Sequence, residues 1–337
     1  MKNTLLFILI LSCTITQAQI VDIPDANFKY ALVNENVVDN DGNNSGESDA
    51  DLNNDGEIQV SEAEAVLGLV VGFSDISSLE GIKSFTNLIW LNCRNNNLIE
   101  LDITHNTSLL RLFSQSNSIS GAFNTSQNIV LAGITVHNNS ISSLDLSNNP
   151  NLEVLGCGDN LITEIDLSQN PYMHSLYCAN NQISEIDISN NPNFKEIICS
   201  SNQLTSLNIQ NGNAENIDSL NSTNNSNLFC IQVDNIEYAN YVTWWIKDDW
   251  TDYSVDCNLG AEDFNQTYFT LYPNPTNEIL NIDSQFPIDK VQIYTLQGVL
   301  VKEPFTKNIN VSEFSPGIYF LSVTSNGRNQ TKKFIKK

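Results

Sequence analysis

The 337-residue chain is short of positive charge. Fifteen lysines and arginines face 39 aspartates and glutamates, giving a formal net charge of −24. Such a surface repels phosphates, which excludes a nucleic-acid partner and disfavours an anionic membrane surface. Histidine is scarcer still. His105, His137 and His174 are the full set of three, and none stands with a nucleophile and an orienting acid at matching places on neighbouring stretches. Zinc-ligand spacings, phosphate-binding glycine loops and nucleophile elbows are missing too, so the sequence gives catalysis little support. Long apolar runs are also lacking: Leu5 to Leu11 is too short to span a bilayer, and no other segment qualifies as transmembrane.

Residues 1–18 read as a secretory signal peptide. Lys2 precedes the apolar run, and Thr16-Gln17-Ala18 supplies a small-x-small cleavage site. Ile10-Leu11-Ser12-Cys13 offers a rival reading, lipid attachment at Cys13. Charge divides the remainder: residues 19–264 carry −28 and residues 265–337 carry +3. Body and tail therefore present different kinds of surface.

What the body does have is a period. The pattern L-x-x-L-x-C-x-x-N-x-L-x-x-L-x-L begins at Val66, Leu88, Leu109, Leu131, Leu152, Met173, Phe194 and Ile217, at intervals of 21 to 23 residues. That interval falls in the leucine-rich-repeat range. In the copy Leu152, Leu155, Cys157, Asn160, Ile162, Ile165, Leu167, a short strand sends alternate side chains inward and outward. Asn160 then turns the chain and satisfies backbone groups left unpaired by the turn. Coils of this kind stack, bury their apolar rings against one another and need capping at both ends. The expected architecture is a mainly β solenoid of about eight coils over residues 66–233, with a small helical, EF-hand-like N-terminal cap at 19–65 and a C-terminal cap at 234–258. Two copies depart from the pattern. Ser114 and Gly121-Ala122 break the third, and Ser222 and Asn227 break the eighth, so irregularity is expected there. At the C-terminal end Ile236, Tyr241, Trp244, Trp245 and Trp250 are placed to cover the last coil.

The sharpest constellation is Asp51 to Glu62, which fits the twelve-residue EF-hand loop at each diagnostic slot. Asp51, Asn53 and Asp55 supply oxygens, Gly56 the turn, Glu57 its carbonyl, Gln59 the ninth slot and Glu62 a bidentate carboxylate. Residues 39–50 are rich in Asp, Asn and Gly, so no entering helix abuts the loop. A structural calcium ion clipping the cap to the first coil is the expectation, against the plainer reading of an acidic turn. The cysteines divide by position. Cys93, Cys157, Cys178 and Cys199 share an inward slot and act as small buried hydrophobes, while Cys230 and Cys257 bracket the C-terminal cap and suit an exported disulfide. Asp102, Asp145, Asp166 and Asp187 recur as a ladder, either gathering cations or capping the turns that follow them.

Outward positions form three columns. The first reads Trp90, Arg111, Gly133, Val154, Ser175, Glu196; the second reads Asn92, Phe113, Thr135, Gly156, Tyr177, Ile198; the third reads Arg94, Gln115, His137, Gly158, Ala179, Ser200. Aromatics beside two of the few bases are unusual on an acidic surface. Trp90, Arg94, Arg111 and Phe113, with His137 and Tyr177, are the candidate ligand-binding residues.

After a linker at 259–264 the chain turns to short strand-like runs separated by turns at Pro273-Asn274-Pro275, Gln297-Gly298 and Ser315-Pro316-Gly317, which suggest a small β-sandwich. Leu271-Tyr272-Pro273-Asn274-Pro275-Thr276, Gln297-Gly298, Pro316-Gly317-Ile318-Tyr319-Phe320 and the terminal Lys332-Lys333-Phe334-Ile335-Lys336-Lys337 resemble the type A sorting domain of the type IX (Por) secretion system of Bacteroidetes. The resemblance covers residues 265–337. It implies engagement of the type IX machinery, passage across the outer membrane, and release or attachment at the cell surface. The body is similar to secreted leucine-rich-repeat proteins of the same bacteria, including the Ile-Pro-Asp-Ala-Asn-Phe opening at residues 23–28. Together these readings point to an exported, non-catalytic, adhesin-like protein that recognises an extracellular protein or glycan. A structural surface component and a secreted hydrolase with a disguised site stand as alternatives.

Overall fold

A computed structural model describes residues 19–257, 269–284, 287–304, 306–325 and 328–337. The leader at 1–18, with Cys13, and the linker at 259–264 lie outside the described residues. The chain divides into two units, Met1–Cys257 and Asn258–Lys337.

In the first unit each repeat opens with a short strand: Gly68–Val70, Trp90–Asn92, Arg111–Phe113, Gly133–Thr135, Val154–Gly156, Ser175–Tyr177, Glu196–Ile198 and Ser219–Asn221, followed by Trp245–Ile246. These pair in that order as one nine-stranded parallel sheet. All eight repeats form their strands. The ninth comes from the segment read as a C-terminal cap, where Trp245 takes the slot that leucine fills elsewhere and pairs with Leu220. The central strand residues Leu91, Leu112, Ile134, Leu155, Leu176, Ile197 and Leu220 stand in register, and all are fully buried. The opposite face carries a two-stranded piece, Ser120–Phe123 with Ser140–Leu144, and a four-stranded one running Asp252–Ser254, Cys230–Gln232, Ser206–Asn208, Glu185–Asp187. The expected irregularity of the third repeat is found here: Gly121 has φ +77° and a register shift separates Gly121 from Ala122.

Two asparagine ladders bind the coils. In the first, Asn181 donates from Nδ2 to the carbonyls of Cys157 at 3.0 Å and Cys178 at 3.2 Å, while its Oδ1 accepts from the Ile162 N–H at 2.9 Å. Asn160 and Asn202 repeat the arrangement. The residue before each ladder asparagine is left-handed: Asn95, Ser116, Asn138, Asp159, Asn180, Ser201 and Asn224 have φ between 53° and 60°. Short polar side chains tolerate that conformation best among non-glycine residues. The second ladder, Asn106, Asn128, Asn149, Asn170 and Asn191, is buried throughout and is not singled out by the repeat pattern. Its amides donate to carbonyls of the preceding coil, as Asn170 does to Leu146 and Asn149.

The N-terminal cap covers the open end of this stack. Asp25 caps the helix Ala26–Asn34 through Asn27 and Phe28 N–H groups and turns its other oxygen to the N–H groups of Ser77 and Ser78. Partial burial raises its carboxyl, but these four donors outweigh that effect and hold it below the ordinary range. Residues 37–39 bond to the backbone of Gly68–Val70, which occupies the sheet edge that would otherwise template pairing with another chain. At the other end the aromatic lid is smaller than expected. Trp245 is buried against Tyr238 and Tyr253, with its indole N–H on the Ile217 carbonyl. Tyr241, Trp244 and Trp250 stay exposed, at 81%, 48% and 50%, because the ninth coil already buries the end of the eighth.

The second unit is a sandwich of two antiparallel sheets. One joins Phe269–Tyr272, Ile279–Ser284 and Asn308–Asn310; the other joins Leu300–Lys302, Lys290–Thr295, Gly317–Ser325 and Arg328–Lys336. Phe269, Leu280, Ile282, Ile293, Leu321 and Phe334 meet in one core between them. The first and last sequence motifs of this unit are stitched together: Asn274 bonds to the backbone of Lys333 and Ile335, and the Thr276 N–H donates to the Ile335 carbonyl.

Candidate functional site

The parallel sheet sets the outward columns in the expected order. Trp90, Arg111, Gly133, Val154, Ser175 and Glu196 are register partners in succession, as are Asn92, Phe113, Thr135, Gly156, Tyr177 and Ile198. The candidate residues do not gather into one patch. Trp90, expected to be exposed, is half-buried under the cap loop. A Cβ on Gly42 would lie 2.8 Å from its ring, and one on Gly68 would lie 1.8 Å from its Nε1. The same loop places the Asn44 Oδ1 2.7 Å from the Asn92 Nδ2. Arg94 leans toward the first coil, with its guanidinium 5.3 Å from the centre of the Phe73 ring. Arg111 remains exposed and Phe113 is half-buried.

His137 and Tyr177 come together instead, one on each side of a hollow of about 360 Å³ lined by Thr135, His137, Val154, Gly156, Gly158, Asp159, Tyr177 and Ala179. The fifth coil makes this hollow by having no side chain where its neighbours have one. Neither Gly156 nor Gly158 has a positive φ. A Cβ at Gly156 would meet only Thr135, at an ordinary 3.5 Å. The backbone therefore does not need glycine at 156. Glycine in a strand weakens it and marks a bulge, a bend or a place where a ligand or another backbone approaches closely; at Gly158 the neighbour is the Ala179 carbonyl, 3.1 Å from where a Cβ would lie. A blank in a column carries no chemistry of its own, so the sequence alone does not mark these glycines as a site. Above the hollow the Tyr177 hydroxyl donates to Glu196, which pushes its pKa up. Asp159 accepts from the Asn180 Nδ2 at 2.9 Å.

The three histidines are dispersed. His105 is exposed beside Thr104, His174 has its Nδ1 2.9 Å from the Ser175 Oγ, and His137 faces the hollow.

In the Asp51–Glu62 loop, Asp51, Gln59 and Glu62 are buried while Asn53, Asp55 and Glu57 lie nearer solvent. Asp51 accepts from the Asp55 and Gly56 N–H groups, and Glu62 from those of Asn53 and Gln59. Gln59 and Glu62 form a capping box on the short helix Val60–Ala63, and Ile58 is fully buried as an anchor. Asn53 and Gln59 turn amide N–H groups toward Asp55. Its carboxyl is held below the ordinary range, first by the Glu57 N–H. Lys29 pairs with Glu57 at 2.6 Å. Among the described residues, three acidic side chains bring oxygens within 4.8 Å of one another in the preceding loop, at Asp39, Asp41 and Glu47.

The aspartate ladder caps turns. Asp102, Asp145, Asp166 and Asp187 each accept from the N–H two residues on. Cys93, Cys157, Cys178 and Cys199 are fully buried thiols. Desolvation pushes the first, second and fourth up to about 12 and Cys178, also flanked by Cys157 and Cys199, well above its ordinary value. A thiol held protonated in this way is inert packing. Cys230 and Cys257 form the disulfide, with Cα atoms 5.7 Å apart.

Residues 270–337 match the secretion system C-terminal sorting domain. The tail is thus a type IX sorting domain, and the coil period, the parallel sheet and the asparagine ladders make the body a β-solenoid of leucine-rich-repeat type. Solved structures similar to this sorted repeat protein include the functional domain of InlJ from Listeria monocytogenes, which includes a cysteine ladder (21% identity, 64% of this chain and 61% of that one, TM-score 0.36). A leucine-rich-repeat protein of Leptospira interrogans (18%, 54% and 53%, 0.42) and an internalin of Listeria monocytogenes (19%, 65% and 98%, 0.40) are similar as well. These likenesses are of fold alone, and the chain spans about three fifths of the InlJ domain. No curated protein sequence matches the chain. The tail marks the sorted repeat protein for secretion or display at the cell surface through the type IX machinery. Among the described residues no helix is long and apolar enough to cross a membrane.

Proposed function

We propose that this protein is an adhesin-like, non-catalytic recognition module that holds an extracellular protein or glycan on the outward face of its nine-stranded sheet, after a signal peptide and the sorting tail have delivered it. The observation that carries this reading is the hollow at Gly156, where the column of Phe113, Thr135, Tyr177 and Ile198 is interrupted and leaves room beside an exposed aromatic ring. The dispersed histidines give a hydrolase no comparable support. The experiment is capture from a panel of immobilised glycans and purified extracellular proteins by the wild type and by Phe113→Ala/Tyr177→Ala. Loss of two central aromatics weakens a true contact at least about tenfold. Equal capture by both proteins sinks recognition through this face, and failure of the wild type to capture anything favours a structural surface component.

The same reading assigns calcium to the Asp51–Glu62 loop. Carboxylates from Asp51, Asp55 and Glu62, amide oxygens from Asn53 and Gln59 and the Glu57 carbonyl are the oxygen set that a hard cation prefers. Burial of Asp51 and Glu62 with only backbone N–H partners supports it. Calcium there would tie the loop to the short helix that leads into the first coil. With a dissociation constant near 10⁻⁴ M, about 2 mM calcium adds about 1–2 kcal/mol to stability. The expected result is a rise in Tm that Glu62→Gln removes; a titration with neither heat nor a shift in Tm overturns the assignment.

A further inference from the structure

We propose that the Gly156 hollow receives the side chain of a lysine or arginine from a partner polypeptide. This rests on recognition through the outward face and names the chemistry of what is recognised there. The floor and walls are largely apolar: Gly156, Val154, Ala179 and the Tyr177 ring. A methylene stem packs along such a surface while its charged head reaches the rim. The rim is acidic. Asp159 lines it, and Glu196, outside the lining, is held one bond away at the Tyr177 hydroxyl. No lysine or arginine lines the hollow, and the surrounding body carries −28 over residues 19–264. A cation entering here is drawn by the whole field of the unit and meets an aromatic face suited to it. An anionic occupant would meet the opposite. His137 is the one other ionisable side chain of the lining beside Asp159 and Tyr177.

The four strand residues flanking Gly156 in its column carry larger side chains, Phe113, Thr135, Tyr177 and Ile198. Valine at 156 therefore fills the hollow with a group that the sheet accepts elsewhere and leaves every charge in place. That separates a shaped site from general attraction to an acidic protein.

The test uses the full mature chain and a fluorescein-labelled octa-arginine peptide, in about 0.15 M salt, where exposed charges are screened beyond about 8 Å. Gly156→Val is expected to weaken binding by about tenfold, the size of a desolvated cation–aromatic contact. Asp159→Asn is expected to weaken it by a similar factor. Gly156→Ala, whose single methyl sits at ordinary contact distance, gives a smaller loss and serves if the valine variant melts early. Equal octa-arginine binding by wild type and both Gly156 variants overturns the proposal. A neutral oligosaccharide array is run beside it. Capture of a neutral glycan that Gly156→Val abolishes, with octa-arginine binding unchanged, keeps recognition through this face and overturns the cationic occupant. No capture of either probe by the wild type overturns both.

Discussion

Replacing Asn181 by alanine lowers the free energy of unfolding by about 3–5 kcal/mol, as large a loss as truncating a buried core side chain. The reason is the inventory of what one amide holds. Asn181 is 8% exposed and makes four backbone bonds across two coils, the longest of them to the Ala179 carbonyl at 3.4 Å. The Cys157 and Cys178 carbonyls each keep a second donor, from Asn160 and Asn202. The Ile162 N–H keeps none, since the Asn181 Oδ1 is its acceptor and Ile162 is fully buried. An orphaned buried donor costs about 1–3 kcal/mol, and each of the other bonds adds about 1. Equilibrium denaturation in urea measures the change. Gln182→Ala, next along the chain and exposed, stays within about 0.5 kcal/mol as the control. A loss from Asn181→Ala no larger than the control's shows that the ladder does not hold the coils.

Opening the Cys230–Cys257 bridge costs about 3.5 kcal/mol, from the entropy a 27-residue loop regains in the unfolded chain. The bridge runs from the strand Cys230–Gln232 to the chain just past its partner strand Asp252–Ser254. It encloses the helix Ile236–Tyr241 and the ninth coil strand Trp245–Ile246. The four ladder thiols do not complicate the measurement, because burial keeps them protonated and shielded. Thermal melts of the oxidised protein and of Cys230→Ser/Cys257→Ser should separate clearly, with the lost stability in the last two coils. Superimposable melts mean that the ninth coil is held by Trp245 alone.

The eight repeats, the inward cysteines, the first asparagine ladder, the disulfide and the sandwich tail were all legible, because each is a local pattern or a spacing. The ninth coil was not. Trp244-Trp245-Ile246 carries none of the leucine and cysteine signature, and only stacking on Leu220 shows that Trp245 serves as the leucine. Asn170 and its equivalents were visible as a period, yet whether an asparagine faces solvent or the core depends on the turn preceding it. The outward columns came out in register, but two contents escaped. The loop around Gly42 folds over Trp90 from nearly fifty residues upstream, a contact no spacing reveals. Gly156 works through an absent side chain, and its meaning appears only when Thr135 and Tyr177 stand on either side. In the cap, the loop at Asp39, Asp41 and Glu47 was read as an obstacle to an entering helix rather than as a group of carboxylates.

The first asparagine ladder also gives the stack a direction. Asn181 completes Ile162, Asn202 completes Ile183 and Asn225 completes Leu204: each coil's buried N–H is satisfied by the coil behind it. The turn beside the ladder shows where the series stops: the N–H groups of Asn180 and Asn181 reach the Ser200 and Ser201 carbonyls of the next coil, whereas those of Asn224 and Asn225 reach the carboxylate of Asp248. A chain that folds from its N-terminus therefore always ends in one unfinished coil, waiting for the next to arrive. Asp248 is the full stop that lets the series end.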